Sequence, residues 1–239
     1  MLPAANNNRT AVFLDLDGTI LRRESQLHFV IRCFRLGLVN RPQAVKLILR
    51  YVLYVTSMVQ DASSLRDQGF RLLKGQTVSL IQREIQNFLT SFTPEIRRGV
   101  ASLLAFHRRA GHHPVLVTSA MEPLARQFGL YLEIDDVIAT RLHSENGVYS
   151  GLYDLPSPWG AGKRLLVHDY CAIRGFSPAA CFAYSDHYSD LPLLTYVGRP
   201  VAANPHRPLA KVAAINGWPV VDLEKPFSPP REYESFCLG

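Results

Sequence analysis

The sequence predicts an α/β protein with a Rossmann-like, three-layer α/β/α core, a mostly parallel sheet and an inserted helical segment. Between residues 93 and 224, short apolar runs alternate with helical patterns, and this alternation favours parallel strands covered by helices on both faces. Residues 25–92 instead show apolar residues every three or four positions and lack strand alternation. We therefore expect a core made of 1–22 and 93–224, a helical cap at 23–92 and a loosely ordered tail at 225–239.

The first core strand is predicted at Ala11–Leu16, because this run is short, apolar and free of proline. Leu142–Leu155 alternates around Glu145-Asn146-Gly147, a turn sequence typical of a β-hairpin. Ligands of parallel sheets bind beyond the carboxyl ends of the strands, so polar residues at those ends are candidates for function. The further strands are expected at Pro114–Val117, Asp136–Thr140, Ala180–Tyr184, Pro200–Ala202 and Pro219–Val221.

Glycine and proline residues mark the expected helix ends. Pro42 suits the first turn of one cap helix, and Lys74-Gly75 suits the end of another. The expected cap helices are Gln26–Leu36, Pro42–Val59, Ser63–Leu73 and Thr77–Leu89. The expected core helices are Glu95–Arg109, Glu122–Phe128, Lys163–Arg174, Leu191–Val197 and Pro208–Asn216.

Composition argues against several classes of protein. The 239 residues are 47% hydrophobic, which is typical of a globular chain. The four cysteines show no C-x-x-C spacing, which argues against a zinc site or a disulfide framework and suits a reducing compartment. Residues 1–10 lack the apolar segment of a signal peptide, and no stretch reaches the roughly 18 apolar residues of a spanning helix. We therefore expect a cytoplasmic protein.

The net charge of +6 is concentrated in the predicted cap. Residues 23–92 hold ten lysine or arginine residues against four aspartate or glutamate residues. Such a field faces an anionic substrate or surface, or it belongs to an ordinary solvated helix face. Because no zinc-finger or RNA-binding aromatic pattern accompanies the charge, nucleic acid is not an expected partner.

Two carboxylates follow the first predicted strand. Asp15 and Asp17 are separated by one residue, so they share a face if the strand stays regular, and Gly18 lets the chain turn beside them. Carboxylates that close repel each other, and burial makes an unpaired charge costly. A divalent cation or a shared proton would relieve both problems. The alternative is an ordinary Asp-Gly turn at the end of a strand.

Four motifs, taken in order, resemble those of the haloacid dehalogenase (HAD) superfamily. They extend over residues 11–194, and the sequence is similar to the phosphoserine-phosphatase-like branch, subfamily IB, in which a helical cap follows the first motif. The resemblance implies a Mg²⁺-dependent phosphatase that acts on a small phosphorylated metabolite. The motifs are Asp15-Leu16-Asp17-Gly18-Thr19, Thr118-Ser119 after the second strand, Gly160-Ala161-Gly162-Lys163, and Tyr184-Ser185-Asp186 through Asp190.

The resemblance implies roles for the acidic residues. Asp15 would attack phosphorus and form an aspartyl phosphate, and Asp17 would protonate the leaving oxygen and then activate water. Asp186, together with Asp15 and the backbone carbonyl of Asp17, would hold Mg²⁺, a hard cation that prefers oxygen ligands. Asp190 would anchor the site, with Gly18 and Thr19 as further supporting residues.

The same resemblance assigns the phosphate-binding groups. Lys163 would neutralise both the phosphate and the nucleophile. Thr118 would hydrogen-bond a phosphate oxygen, and it is favoured over Ser119, one position later, because it directly follows the apolar run.

Departures from the branch concern the substrate. Tyr184-Ser185-Asp186 lacks the usual glycines, Ser189 replaces an asparagine, and Thr118-Ser119-Ala120 stands where Ser-Gly-Gly is usual. Seven of the eight histidines, among them His206, show no paired metal spacing and are interpreted as surface or structural residues, with His187 a candidate for substrate contact.

Several readings of the substrate compete. Glu24 lies seven residues after Asp17, where phosphoserine phosphatases carry a glutamate that meets the substrate amine. Lys46 and Arg50 beside the apolar run Val45–Val59 instead fit a lipid headgroup, as in phosphatidylglycerophosphate phosphatases. Another small phosphate monoester, such as histidinol phosphate, is a third candidate. The alternative to an enzyme is a non-catalytic binding module on the same fold. We expect a small phosphate monoester, with a membrane surface less favoured; the sequence indicates no oligomeric state.

Overall fold

The computed structural model describes residues 9–55, 62–230 and 233, and it places six parallel strands in one sheet. The sheet order is β3-β2-β1-β6-β7-β8, and β4 and β5 form a separate antiparallel pair. The predicted α/β class with a mostly parallel sheet is confirmed. The strands are β1 (Ala11–Leu14), β2 (His113–Met121), β3 (Asp136–Thr140), β4 (Leu142–Glu145), β5 (Val148–Tyr153), β6 (Phe182–Ser185), β7 (Arg199–Ala203) and β8 (Val220–Val221).

Helices occupy the segments between these strands. Five of the helices in the described residues lie between β1 and β2, and the first four of them fall within residues 23–92, where the sequence predicts the cap. The expected end of the second helix near Val59 lies outside the described residues. The helices are α1 (Ser25–Arg35), α2 (Arg41–Val55), α3 (Ala62–Arg71), α4 (Val78–Phe92), α5 (Val100–Arg109), α6 (Glu122–Tyr131), α7 (Ala161–Arg174), α8 (Leu191–Leu194) and α9 (Arg207–Asn216).

Strand β1 separates two apolar layers. Val12 and Leu14 pack in one cluster with residues of α1, α4, α5 and α6, whereas Ala11 and Phe13 pack in a second cluster with residues of α7, α8 and α9. Successive side chains of a strand point to opposite faces, so a strand buried on both sides reads as a continuous apolar run. The sheet is therefore covered on both faces, as the three-layer prediction requires.

Two element boundaries differ from the prediction by four residues or more. The helix expected from Glu95 begins at Val100, because Thr93–Glu95 forms a short 3₁₀ turn and Ile96 is extended and bridges to Leu21. The second core strand does not end at Val117 but continues to Met121, with a shift of register along the way. Thr118 and Ser119 therefore lie within the irregular end of β2, not after it.

Backbone hydrogen bonds join the two ends of the helical segment to each other and its α3–α4 turn to the β4–β5 hairpin. Residues 20–22 pair with 95–97, through Arg22 N–H to the Glu95 carbonyl at 2.9 Å and Arg97 N–H to the Ile20 carbonyl at 2.9 Å. The turn between α3 and α4 pairs with β5, since Gly75 N–H donates to the Tyr149 carbonyl at 2.9 Å. The β4–β5 hairpin thus contacts the helical segment directly.

The described part of the tail packs on the core, contrary to the prediction of loose order. Phe227 packs against Phe106, with ring centroids 5.5 Å apart, and Tyr233 is buried against Phe182 at 5.1 Å. The Phe227 N–H also donates to the Ser102 hydroxyl at 2.6 Å. Burial of two aromatic rings outweighs the proline-rich composition that suggested a loose tail. Over the described ranges, no helix has the length and apolar character needed to cross a bilayer.

Candidate active site

A buried lysine connects two carboxylates at the carboxyl ends of β1 and β6. The Lys163 Nζ donates to Asp15 Oδ1 at 2.7 Å and to Asp190 Oδ2 at 2.6 Å, and the residue is 3% exposed. Burial disfavours the charged lysine, but Asp15 and Asp190 outweigh that effect and raise the pKa of its ammonium group. Ser185 donates to Asp190 at 2.7 Å and fixes the second carboxylate. The lysine predicted from the start of α7 is therefore oriented toward the predicted nucleophile.

The Thr19 hydroxyl lies between the carboxyl groups of Asp15 and Asp186. Thr19 Oγ1 is 3.3 Å from Asp15 Oδ2 and 3.1 Å from Asp186 Oδ1, so it can donate to one of them at a time. Gly18 has φ 82°, and a Cβ at this position would lie 2.1 Å from Asp186 Oδ2. Only glycine fits both constraints, because it tolerates positive φ and has no side chain. The structure thus brings Asp15 and Asp186 together around Thr19.

The Asp17 side chain is held from the start of α1. The Ser25 N–H donates to Asp17 Oδ1 at 2.7 Å. Burial raises the pKa of Asp17 to about 7, a shift that the Ser25 contacts oppose and the charge of Asp15 reinforces. The Ser25 hydroxyl lies close to this carboxyl but makes no hydrogen bond of normal geometry. A carboxyl with this pKa can both give and accept a proton near neutral pH.

Burial also raises the pKa values of the two other acids. The pKa of Asp15 rises to about 7, because burial and the charges of Asp190 and Asp186 outweigh the Lys163 ammonium. The pKa of Asp186 rises to about 7 through burial and the charge of Asp190, although Thr19 lowers it. When they are ionised, these carboxylates together carry more negative charge than Lys163 alone balances.

These residues fit a magnesium ion better than a transition-metal cage. Within the described ranges, no three or more His, Cys, Asp or Glu side chains are grouped closely enough to hold a metal by themselves. Mg²⁺ commonly binds to one or two carboxylates and keeps several waters, so Asp15, Asp186 and one backbone carbonyl form an adequate donor set. The excess negative charge at these two carboxylates is what a divalent cation would neutralise.

Comparison with known proteins identifies the family. The model of the haloacid dehalogenase-like hydrolases matches residues 12–195. The chain belongs to this family. It is 31% identical over 223 residues to a probable phosphatase of Mycobacterium tuberculosis, covering 92% of this chain and 77% of that protein. It is 27% identical over 222 residues to a phosphoserine phosphatase of the same species, covering 89% and 70%.

A solved structure shares the fold of this chain. A protein of unknown function from Bordetella pertussis Tohama I aligns with a TM-score of 0.81 at 25% identity, covering 90% of this chain and 99% of that one. The family model and the relatives named phosphatase confirm the resemblance seen in the motifs: the protein is a HAD hydrolase of the phosphatase type.

In this HAD protein the two phosphate-binding candidates lie on β2, beside β1. Leu14 pairs with Leu116, so Thr118 is two residues further toward the carboxyl edge of the sheet. The Thr118 side chain is buried and accepts from the Ala120 N–H at 3.1 Å, whereas Ser119 is half-buried and its carbonyl accepts from Thr140 at 2.8 Å. Neither contact distinguishes the two hydroxyl groups as phosphate ligands, so both Thr118 and Ser119 stay candidates.

Glu24 lies next to the acidic cluster of the HAD site. The residue is exposed, directly before α1. Desolvation of its carboxyl, together with the charges of Asp17, Asp186 and Asp15, raises the pKa of Glu24 well above its ordinary value. The position predicted for substrate contact is therefore adjacent to the motif residues in space.

Three residues at the HAD site were not predicted as site residues. The His206 N–H donates to the Asp186 carbonyl at 2.8 Å, and its Nε2 lies 3.4 Å from Asp186 Oδ2. Arg97 Nη2 donates to the Gly18 carbonyl at 2.8 Å, and the same arginine pairs with Glu224. Gln26 accepts from the Met121 N–H at 3.1 Å, while its buried Nε2 has no hydrogen-bond partner in the part of the chain that the structure describes.

Position along the chain could have indicated His206 alone. It follows the carboxyl end of β7, the strand next to β6, so the rule that sites lie at strand ends applies to it. His187, the histidine singled out as a candidate for substrate contact, contacts Ser189 through Nδ1 at 2.9 Å and packs edge-on against His206 with ring centroids 5.5 Å apart.

Proposed function

We propose that the protein is a Mg²⁺-dependent phosphomonoesterase that hydrolyses a small phosphate monoester through an aspartyl phosphate on Asp15. The contact between the Lys163 ammonium and Asp15 Oδ1 supports this proposal most directly. It holds one oxygen of the nucleophile beside a buried positive charge. A phosphate group bound against that charge would lie next to the attacking carboxylate.

In the first step, Asp15 attacks phosphorus and the bond to the ester oxygen breaks. Asp17 gives its proton to the leaving alkoxide, which departs as the alcohol. A pKa of about 7 leaves a substantial fraction of Asp17 protonated at neutral pH. The Ser25 N–H keeps the carboxyl in place between the two steps.

In the second step, Asp17 accepts a proton from water, which attacks phosphorus. The bond to Asp15 breaks, inorganic phosphate is released and the free carboxylate is restored. Asp186, Asp15 and the Asp17 carbonyl would hold Mg²⁺, which supplies positive charge toward the phosphate oxygens when bound. Lys163 supplies further positive charge, and the Thr118 or Ser119 hydroxyl donates to a phosphate oxygen.

For the substrate we propose a small monoester, with an amine-bearing one favoured by Glu24. The charges of Asp17, Asp186 and Asp15 act on its carboxyl, which supports a role for Glu24 near the bound substrate. A relative of this chain named phosphoserine phosphatase agrees with this choice. We propose that residues 23–92 form the cap.

The mechanism is tested with an aryl phosphate that produces a coloured product. The wild-type protein should hydrolyse it with Mg²⁺ and lose activity in EDTA, and Asp15→Asn should be inactive. Asp169→Asn, an exposed change on α7, is the matched control and should stay active. Full activity in EDTA or in Asp15→Asn would refute the mechanism.

The substrate is tested separately with a panel of phosphorylated metabolites. Glu24→Gln should raise KM for amine-bearing monoesters and leave aryl phosphate hydrolysis nearly unchanged. Glu145→Gln, in the exposed hairpin turn, is the control. Equal losses on all substrates would assign Glu24 to the general structure of the site.

A further inference from the structure

The longest stretch of the chain without an acidic residue includes α1 and α2. Residues 25–60 contain no aspartate or glutamate. The same segment contains five basic residues, namely Arg32, Arg35, Arg41, Lys46 and Arg50. An ordinary solvated helix surface mixes both signs of charge, so this segment has an unusual preference for anionic surroundings.

Among the α2 side chains that the structure describes, burial is confined to one side of the helix. Ala44 and Leu47 are buried in the main apolar cluster, whereas Val45 and Leu49 are 53% and 59% exposed. Two large apolar side chains of α2 therefore face away from that cluster.

The exposed residues of α2 form one continuous surface. Arg41, Val45 and Leu49 are four residues apart, so they follow one another along the same helix face, with Lys46 beside them. Leu36, at the end of α1 and 49% exposed, adds a further large apolar side chain close in sequence. We call the residues Arg41, Val45, Lys46 and Leu49 the outer surface of α2.

We propose that the outer surface of α2 binds to the surface of a bilayer that contains anionic lipid. A helix lies in a membrane interface when its apolar side chains enter the headgroup boundary and its basic side chains meet lipid phosphates. The outer surface of α2 combines both features within two turns. Its positive charge is complementary to an anionic bilayer, and its apolar pair lies outside the main apolar cluster, with more than half of each side chain exposed.

This inference is independent of the proposed chemistry. A single exposed apolar residue needs no explanation, but an apolar pair flanked by two bases in an acid-free segment does. A nucleic acid would bind to Arg41 and Lys46 but would leave Val45 and Leu49 exposed to water. A bilayer uses both, and for this reason we commit to the lipid surface.

The test is sedimentation of the full-length protein with vesicles at physiological salt. Wild-type protein should bind to vesicles of phosphatidylcholine with phosphatidylglycerol and bind much more weakly to phosphatidylcholine alone. Arg41→Glu/Lys46→Glu should weaken binding at least about tenfold, since each basic residue near an anionic membrane contributes measurably. Val45→Ser/Leu49→Ser should weaken binding without any change of charge.

The control uses an equivalent surface elsewhere. Lys211→Glu/Ile215→Glu alters a base and an exposed apolar residue on α9, also four residues apart, and Ile215 is 83% exposed. This variant should bind like the wild type, and all variants should keep their circular dichroism and aryl phosphatase activity in solution. If a charge-reversal variant fails to fold, the serine variant decides the result.

Several outcomes would overturn the proposal. They are absence of wild-type binding to anionic vesicles, equal binding to neutral vesicles, and equal loss in the α9 control. Binding of a DNA duplex or self-association through the same residues, without vesicle binding, would assign the surface to a different partner.

Discussion

Replacing Lys163 by methionine removes the positive charge between two buried carboxylates. Asp15 would lose its ion pair with the Lys163 ammonium at 2.7 Å, and Asp190 would lose its own at 2.6 Å. Removal of one partner from a buried ion pair costs about 3–5 kcal/mol, because the remaining charge is left uncompensated. For a chain of this size, that loss corresponds to a decrease in melting temperature of roughly 6–20 °C.

The assay is thermal unfolding at neutral pH, combined with aryl phosphate hydrolysis. Lys163→Met should be both unstable and inactive, whereas Lys211→Met, on the surface of α9, should resemble the wild type. The double variant Lys163→Met/Asp190→Asn should recover part of the lost stability, because one unpaired charge is also removed. It should stay inactive, since the ammonium group beside Asp15 is still missing. The double variant thus separates folding from catalysis.

Two results would refute this reasoning. A Lys163→Met variant that melts within about 2 °C of the wild type would mean that the carboxylates are satisfied by water or by protonation at little cost. A double variant with restored activity would mean that Lys163 serves only to offset Asp190.

Three further predictions follow from the site. In metal-free protein, Asp15, Asp17 and Asp186 titrate near 7 rather than at 3.8, so their contribution to stability is greatest below pH 4 and is lost as pH rises to 7. Mg²⁺ should therefore raise the melting temperature more at about pH 8 than at about pH 5.5, and equal gains would contradict binding by these carboxylates. Asp17→Asn should reduce hydrolysis of alkyl phosphates at least about a hundredfold more than that of aryl phosphates, whose leaving groups scarcely need protonation; equal losses would indicate a structural role. Arg97→Met should lower kcat on an aryl phosphate about tenfold through loss of its hydrogen bond to the Gly18 carbonyl, and an equal effect of the exposed change Arg98→Met would refute that role.

Local patterns were sufficient to predict the sheet and the place of the site. Ala11–Leu14 is a fully buried strand, as its unbroken apolar run indicated. Asp186 directly follows β6, and Lys163 lies at the start of α7, the helix that precedes β6. The topology of the sheet therefore places both residues at the same edge as Asp15.

Contacts that depend on side chains distant in sequence could not be predicted. Arg97 reaches the Gly18 carbonyl from 79 residues away, and no pattern distinguishes it from its neighbour Arg98. β2 extends past Val117 because it pairs with β3 as far as Met121. The polar residue Thr118 instead suggests that the strand ends there. Phe227 packs against Phe106, and nothing in the local sequence of residues 225–239 predicts that contact.

The balance of charge at the site restricts what can bind there. The Lys163 ammonium already pairs with Asp15 and Asp190, while Asp17, Asp186 and Glu24 add further acidic groups nearby. A phosphate dianion approaching this cluster without a cation would be repelled, because like charges in a weakly solvated site interact strongly. Metal binding therefore precedes or accompanies substrate binding in our proposal. The same repulsion disfavours a second anionic group near Glu24 and favours an amine or a neutral group there.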